Sequence, residues 1–316
     1  MSAKKLICIL LCVFMAAVFF GCGADKPETE QSTTGAAEEP AGNGVNLIEK
    51  LNSLAATDVE LGIASKYNAF ADITDGKTDP DLTGRWITAD GSSIYTYNED
   101  GTSTAEIESR GSSEVKYTCI EANGRKIICE ESEMIGDVEE GTTALTFTAY
   151  SIENDALYMV PVENVNPDFS SSQNALIVFY RADENGKIDA ALSANPVDIN
   201  VLNGKWSCEK GEVTIENGVL TYGESSYNLS FDGKGQLVAE KDGESTAYSF
   251  NISQLKQYEG EEGEADSQAT ATTCFGIYYT GADENDKPNL LPLLSDWKAE
   301  FDWDSYYYNA SFELEQ

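Results

Sequence analysis

The residues best able to do chemistry in this chain are its acids, because histidine is missing altogether. The sequence of 316 residues holds 55 Asp and Glu, 20 Lys and Arg, and no His. Without histidine the chain lacks the general base of Ser-His-Asp and Cys-His catalysis and the commonest transition-metal ligand. Two carboxylates suffice for glycoside hydrolysis, but the acids are too numerous for one pair to stand out. We therefore predict that the protein is not an enzyme, and keep a carboxylate-based, glycan-active enzyme as the weaker alternative.

Two acidic segments have the composition of cation-binding loops but lack the pattern. When Gly186 of segment 183–189 is aligned with the glycine of a calcium loop, Arg181 and Leu192 fall where the first and last ligands belong. Segment 72–81 contains four aspartates and is better interpreted as a solvated loop. The run 259–266 has no basic residue and predicts a mobile acidic loop. We predict no metal site and no cofactor.

The first 21 residues have the organisation of an export signal. Two lysines are followed by an uncharged run over 6–20 and then by Gly21 and Cys22. A cysteine directly after the cleavage point resembles the lipobox of bacterial lipoproteins, although two phenylalanines precede Gly21 where that family usually has Leu and a small residue. The resemblance implies a diacylglycerol on Cys22, which anchors the protein at the extracytoplasmic face of the cell membrane. An ordinary signal peptide, or a short anchor with an incidental cysteine, is the alternative.

Residues 22–45 are predicted to be a flexible tether. Segment 23–45 has no aromatic residue and is rich in Gly, Ala, Glu and Thr, so it cannot bury enough apolar surface to offset its ordering entropy. The formal net charge of the chain is −35, and loss of the two lysines with the signal peptide makes it more negative. Such a body repels nucleic-acid phosphates and anionic lipids. We predict no nucleic-acid partner, and a membrane contact made through the lipid on Cys22.

Four further cysteines would allow two disulfides in an exported protein: Cys119, Cys129, Cys208 and Cys274. None of them forms a close CxxC pair, so zinc is not predicted. If the turn at Asn123 holds three residues, Cys119 faces Cys129 across a hairpin, but the register is open by one residue. Cys208 and Cys274 lie in the predicted first and last strands of a second domain, which become neighbours if a barrel closes. Free thiols are the alternative for both pairs.

The elements that position these residues are mostly strands. One amphipathic helix is predicted within 46–70, with Asn46 as its cap. From residue 82 onward, alternating apolar residues and turn signals such as Asn123-Gly124 predict eight strands up to Arg181, followed by a second set. The aromatic segment 297–308 is predicted to enter a closing strand, with a sugar or peptide surface as the alternative. The predicted fold is all-β, either barrels or small sandwiches.

Two segments recur in the same order. Leu82-Thr83-Gly84-Arg85-Trp86 returns as Leu202-Asn203-Gly204-Lys205-Trp206, and 179–187 returns as 278–287. A Gly-x-Trp triplet at the head of a first strand, followed by hairpins, resembles the lipocalin-like repeats of bacterial surface lipoproteins. The resemblance implies that Gly84-x-Trp86 and Gly204-x-Trp206 plug the closed ends of eight-stranded barrels. It also implies an arginine packed on the tryptophan, which the sequence does not place.

These observations predict a domain order. A signal peptide (1–21) and a lipid-anchored tether (22–45) precede a helical and loop segment (46–81). A lipocalin-like domain (82–187), a linker (188–201) and a second such domain (202–316) with an aromatic-rich C-terminal extension follow. Barrels of this size can hold one small ligand. We therefore predict a binding module for a small molecule or a cell-surface partner. The alternative is a structural or interaction protein with filled barrels.

Overall fold

The computed structural model describes residues 44–107, 111–133, 143–163, 171–258, 269–282, 291–298 and 306–315. The predicted signal peptide, the predicted tether up to residue 43 with Cys22, and the acidic run 259–266 lie outside these residues. Val45, the last residue of the predicted tether, is ordered in a parallel bridge with Val197. Helix α1 spans Leu47–Leu54, and helix α2 spans Asp189–Ala194. Short 3₁₀ helices lie at Phe70–Asp72 and Ile199–Leu202. Among the described residues, no helix is both long and apolar enough to cross a membrane.

Eight antiparallel strands form the first barrel in chain order. They are β1 (Gly84–Thr88), β2 (Ser93–Tyr97), β3 (Thr102–Ile107), β4 (Gly111–Ala122), β5 (Arg125–Glu133), β6 (Thr143–Glu153), β7 (Ala156–Pro161) and β8 (Ser171–Arg181). Each strand pairs with the next, and β8 pairs back with β1, so the sheet closes on itself. Turns with residues at positive φ, such as Asn123 and Gly124, join the strands where the sequence predicted them.

A second closed barrel follows. Its strands are β9 (Gly204–Cys208), β10 (Gly211–Glu216), β11 (Val219–Tyr222), β12 (Ser225–Phe231), β13 (Leu237–Lys241), β14 (Glu244–Tyr258), β15 (Ala269–Ala282) and β17 (Tyr306–Leu314). Strand β16 (Ser295–Lys298) adds to the edge of β17, and β17 closes the barrel on β9. The predicted fold class is confirmed: the chain is mostly β, with two antiparallel barrels in tandem and a short N-terminal helix. The barrel, not the sandwich, is the form that it takes.

The two Gly-x-Trp triplets have the same local geometry. Trp86 and Trp206 are fully buried, and their indole Nε1 atoms donate to the carbonyls of Leu82 and Leu202 at 2.7 and 2.8 Å. The glycine of the first triplet, Gly84, has a φ of +126° and lies so close to the last strand that a Cβ would come within 2.9 Å of a side chain there. A larger residue at this position would be strained at this φ, and its Cβ would displace the guanidinium of Arg181.

The last strand of each barrel decides what covers its tryptophan. In the first barrel Trp86 lies opposite Arg181, whose guanidinium is 4.1 Å from the centre of the indole ring. In the second barrel Trp206 lies opposite Leu314. The predicted match of 278–287 with 179–187 is therefore wrong. Strand β15 is held between β14 and β17, so the barrel ends with β17, and the aromatic segment supplies its closing strand.

Both predicted disulfides are wrong, because the four described cysteines are free thiols. The turn at Asn123 holds two residues, so Cys119 faces Ile128, and Cys129 projects from the opposite side of the sheet. Strand β17 lies between the strands that carry Cys208 and Cys274. A difference of one residue in register separates the sulfur atoms of the first pair, and one intervening strand separates those of the second.

Helix α1 is shorter than the predicted range 46–70. Asn46 caps it as predicted, accepting the backbone N–H of Glu49 at 3.1 Å. It ends at Leu54, where Arg125 of the first barrel donates to the carbonyls of Ser53 and Ala55. The chain continues as turns that bury apolar side chains on the outer face of the first barrel, namely Leu61, Ile63 and Tyr67. Tertiary packing thus replaces helix propensity beyond the second turn.

Strand β8 belongs to both barrels. Its residues 177–181 pair with the first barrel, whereas residues 171–176 pair antiparallel with residues 252–257 of β14. The segment that pairs with β14 therefore begins where the pairing with β7 ends, at Ile177, and where the pairing with β1 has already ended, at Phe179. The predicted linker 188–201 is packed too, since it contains α2 and a parallel bridge from Val197 to Val45. The two repeats are therefore joined by continuous hydrogen bonding.

Candidate ligand-binding site

The interior of the first barrel is lined by every second residue of its strands, because successive side chains point to opposite faces. Along β2 this places Ser93, Tyr95 and Tyr97 in one inward row. The ring of Tyr95 meets that of Phe179 edge-on at 5.1 Å, and the ring of Tyr97 meets that of Tyr117 at 5.0 Å. The same inward cluster includes Trp86 at the closed end of the barrel. The lumen is thus strongly aromatic.

One acid faces into this aromatic lumen. Glu130 of β5 is 5% exposed, lies opposite Tyr117 and Thr146 in the sheet, and accepts a hydrogen bond from Ser103 Oγ at 3.1 Å. Burial raises the pKa of Glu130 to about 7, and the hydrogen bond from Ser103 opposes this shift. The carboxyl group therefore exchanges its proton near neutral pH. Its side chain, on the inner face, is separated from solvent by the barrel wall.

Two hydroxyl groups in the lumen have no hydrogen-bond partner among the described residues. They are Ser93 Oγ and Tyr97 Oη, on side chains that are 2% and 1% exposed. Burial, and then the charge of Glu130, raise the pKa of Tyr97 well above its usual value. By contrast, Tyr117 Oη donates to the carbonyl of Asn98 at 2.8 Å. A buried hydroxyl without a partner costs about 1–3 kcal/mol, so these two groups need a hydrogen-bond partner from outside the described residues.

A cavity of about 160 Å³ opens beside this row of side chains. Ser93, Tyr95 and Phe179 line it from the first barrel, and the turn 234–236 and Asn251 line it from the second. It lies where β8 passes from β1 to β14. An engineered cavity of about 150 Å³ is known to hold benzene, so this one fits a molecule, or an end group, of that size.

The second barrel is filled by its own side chains. Trp206, Phe275 and Phe312 pack in its centre, with ring centroids 4.7 Å apart for Trp206 and Phe275 and 4.4 Å apart for Phe275 and Phe312. Residues 291–294, which precede β16, add three buried leucines to this core. The backbone N–H of Leu291 donates to Tyr248 Oη at 3.0 Å, so that hydroxyl is satisfied within the chain. The two barrels share a fold but differ in what their interiors contain.

A wider open groove of about 660 Å³ lies across the closed end of the first barrel. Its basic residues already have partners. Arg181 donates to the carbonyls of Thr83 and Asp81 while it stacks on Trp86, and Lys126 Nζ lies 2.7 Å from Asp79 Oδ2. These basic residues therefore stabilise the closed end of the barrel, and their pairing within the chain accounts for their position in the groove.

The structure places the two Gly-x-Trp triplets at barrel ends, with their tryptophans packed on the inward clusters, and the acidic loop 183–189 in a turn. Gly84 with Trp86, and Gly204 with Trp206, form the two barrel ends. In the loop 183–189, Asp183 Oδ1 accepts backbone N–H groups from Asn185 and Lys187. No group of acids or cysteines among the described residues has the arrangement of a metal site.

Sequence reasoning missed Ser93, Tyr97 and Glu130. The signal that could have found Glu130 is alternation along β5, but the run Ile127-Ile128-Cys129 is apolar on both faces. It packs against the lumen on one side and against the N-terminal segment on the other. The sequence of β5 alone therefore does not show whether Glu130 faces the lumen or the outer surface of the barrel.

Comparison with protein-family models, with curated proteins and with solved structures finds no match to this chain.

Proposed function

We propose that this protein is an extracytoplasmic lipoprotein, anchored through Cys22, whose first barrel binds a small molecule or the end group of a larger one. The second barrel serves as a filled structural partner that completes the wall of the site. The observation that carries this proposal is the pair of buried, unpartnered hydroxyls in the lumen of the first barrel, Ser93 Oγ and Tyr97 Oη, which have no counterpart among the described side chains of the second barrel. The cavity lined by Ser93 and by Tyr95, the inward neighbour of Tyr97, gives the ligand its place.

The lipid anchor is supported by the signal-like start and by Gly21-Cys22. We expect the protein, expressed in a bacterium that processes lipoproteins, to partition into detergent and to carry a diacylglycerol on its first residue. Cys22→Ala should leave it unlipidated and release it from the membrane fraction, as measured by phase partitioning and mass spectrometry. Equal partitioning of the variant, or cleavage at another residue, would overturn the anchor.

The lipocalin-like resemblance gains support from Arg181, because the family pattern includes an arginine packed on the barrel tryptophan and the sequence alone did not place it. The second barrel departs from this pattern, since Leu314 stands opposite Trp206. The departure agrees with its filled interior: we propose that the first barrel alone has kept a binding role.

Binding is tested by small-molecule mass spectrometry of the protein purified from its native host, together with thermal unfolding. A ligand at 100 times its Kd should add about 2.7 kcal/mol to the free energy of unfolding. Tyr97→Phe should weaken that ligand while stabilising the empty protein slightly, because it removes an unpartnered hydroxyl.

Tyr117→Phe is the matched control, since that hydroxyl has a partner within the chain. It should cost stability in the empty protein and leave ligand affinity unchanged. If no molecule co-purifies and Tyr97→Phe behaves like Tyr117→Phe, the surface-interaction alternative replaces ligand binding. Turnover of a glycan that depends on one carboxylate would establish the enzymatic alternative instead.

A further inference from the structure

We propose that the ligand of the first barrel is a small organic cation, an amine whose charged group is bound by the Glu130 carboxylate within the aromatic lumen. This inference rests on the proposed function and names its ligand class. It joins three features of one surface: an inward carboxylate, unpartnered hydroxyls and a wall of aromatic rings.

The carboxylate is the first argument. None of the ion pairs among the described residues includes Glu130, and its side-chain hydrogen-bond partner there is the neutral Ser103. Its neighbour Glu131, on the outer face of the same strand, pairs with Lys116 at 3.3 Å. A buried carboxylate is costly unless an opposite charge compensates it. An ammonium group in the lumen supplies that charge, whereas an anionic ligand would bring a second negative charge beside Glu130.

The aromatic lining is the second argument. The rings of Tyr95 and Tyr97 lie 6.2 Å apart along β2, and Tyr117 and Phe179 extend the aromatic surface on either side. Ring faces carry negative potential and attract ammonium groups, which is how aromatic cages recognise alkylated amines. The lumen thus offers both a full charge and several ring faces to a cation.

The hydroxyls and the cavity give the third argument. Ser93 Oγ and Tyr97 Oη can accept the N–H donors of an ammonium group, or donate to a polar atom elsewhere on the ligand. The cavity beside Ser93 and Tyr95, of about 160 Å³, fits an apolar body the size of one benzene ring. An aralkyl amine has this combination of ring and charge.

The test compares two probes of nearly equal shape, benzylamine and benzyl alcohol, by titration calorimetry with the full chain in detergent. We expect benzylamine to bind at least tenfold more tightly than benzyl alcohol at pH 8. Because the cation selects the ionised carboxyl group, its affinity should fall about tenfold per pH unit below pH 7, with uptake of the ligand releasing a proton. Repeating the titration in buffers with different ionisation enthalpies gives the number of protons released on binding, and this measurement needs no variant.

Glu130→Gln should remove the preference for benzylamine, and Glu131→Gln, one residue along on the outer face, should leave it intact. Equal affinities for the two probes, retention of the preference in Glu130→Gln, or binding without proton release near pH 6 would each overturn the inference. If neither probe binds, the inference also fails. A neutral molecule that co-purifies with the native protein would then leave the proposed function standing.

Discussion

Burial of Glu130 makes the stability of this protein depend on pH. Its pKa is about 7 in the folded chain, against an ordinary value of 4.5. Between these values the folded state holds a proton that the unfolded state has lost. The stabilising contribution is therefore complete below pH 4.5 and is lost as pH rises through 7, by up to about 3 kcal/mol. Glu130→Gln should abolish this decline, as measured by denaturant unfolding between pH 4 and 8.

Glu131→Gln is the control for that measurement, because the Glu131 side chain lies on the outer face and pairs with exposed Lys116. It should keep the pH dependence of the parent protein. A parallel pair of curves for the parent and Glu130→Gln would show that Glu130 titrates normally in the folded state.

At the residue scale, the sequence predicted the structural positions and missed the residues of the proposed site. Gly84 and Trp86 were recognisable because a glycine beside a large aromatic side chain repeats along the chain. Ser93 and Tyr97 were not, because β2 carries polar atoms on both faces, with Thr96 on the face opposite to Ser93 and Tyr97. Only the closed barrel shows that these hydroxyls face a space with no partner.

At the scale of elements, the end of the first barrel is held by Arg181 through stacking on Trp86 and hydrogen bonds to two carbonyls. We expect Arg181→Leu, which installs the residue type found in the second barrel, to lower the free energy of unfolding by about 1–3 kcal/mol, because it leaves carbonyl groups without their charged donor. Arg85→Leu changes an exposed arginine on the neighbouring strand and should have little effect. Equal losses in both variants would contradict this role for Arg181.

Trp86 tests the same element from its apolar side. Trp86→Ala removes a fully buried indole and should lower the free energy of unfolding by about 3–5 kcal/mol, measured by denaturant titration. Because the second barrel has its own buried Trp206, its intrinsic fluorescence gives a separate signal in this variant. A loss below about 1 kcal/mol would mean that the barrel end does not depend on the plug.

The hairpins were predictable at this scale because their turns carry residues that tolerate positive φ, such as Asn123 and Asn217. The last strand of the second barrel was not matched correctly, because similarity of letters between 179–187 and 278–287 competed with strand order. Hydrogen bonding to β9 decides strand order, and residues 283–305 separate the two candidates. The register at Asn123 was likewise open by one residue in the sequence. The two-residue turn in the structure places Cys119 opposite Ile128 instead of Cys129.

At the scale of the whole molecule, a buried ion pair joins the barrels. Lys256 Nζ of β14 lies 3.4 Å from Glu163 Oε2, which follows β7, and the side chains are 12% and 5% exposed. Lys256→Met should lower the free energy of unfolding by about 3–5 kcal/mol, because it removes one partner of a buried ion pair.

Lys116→Met is the control, since its pair with Glu131 is exposed and should contribute about 0–1 kcal/mol. We also expect one calorimetric transition in the parent protein and a separation of the two barrels in Lys256→Met. Two transitions in the parent, at unchanged positions in the variant, would mean that the barrels are energetically independent.

The junction itself could not be predicted from the sequence. The pairing of β8 with β14 joins residues about 80 positions apart, and each strand alternates like any other barrel strand. Two repeats in tandem predict two separate barrels, and nothing local to Ser171–Leu176 shows that its partner lies in the other repeat. The hydrophobic pattern fixes which face is buried but not which strand supplies the hydrogen bonds.

The division of β8 between the barrels has a consequence for the order in which the chain matures. The first barrel is complete in sequence at Arg181, but residues 171–176 find their partner only when β14 has emerged. During that interval a finished barrel carries a short row of open backbone donors and acceptors, which is a template for pairing with another chain. Truncation after residue 187 should therefore yield a barrel that self-associates. The second repeat thus acts as an intramolecular chaperone for the first. Its strand β14 is synthesised later and pairs with the edge of β8 that is unpaired until then.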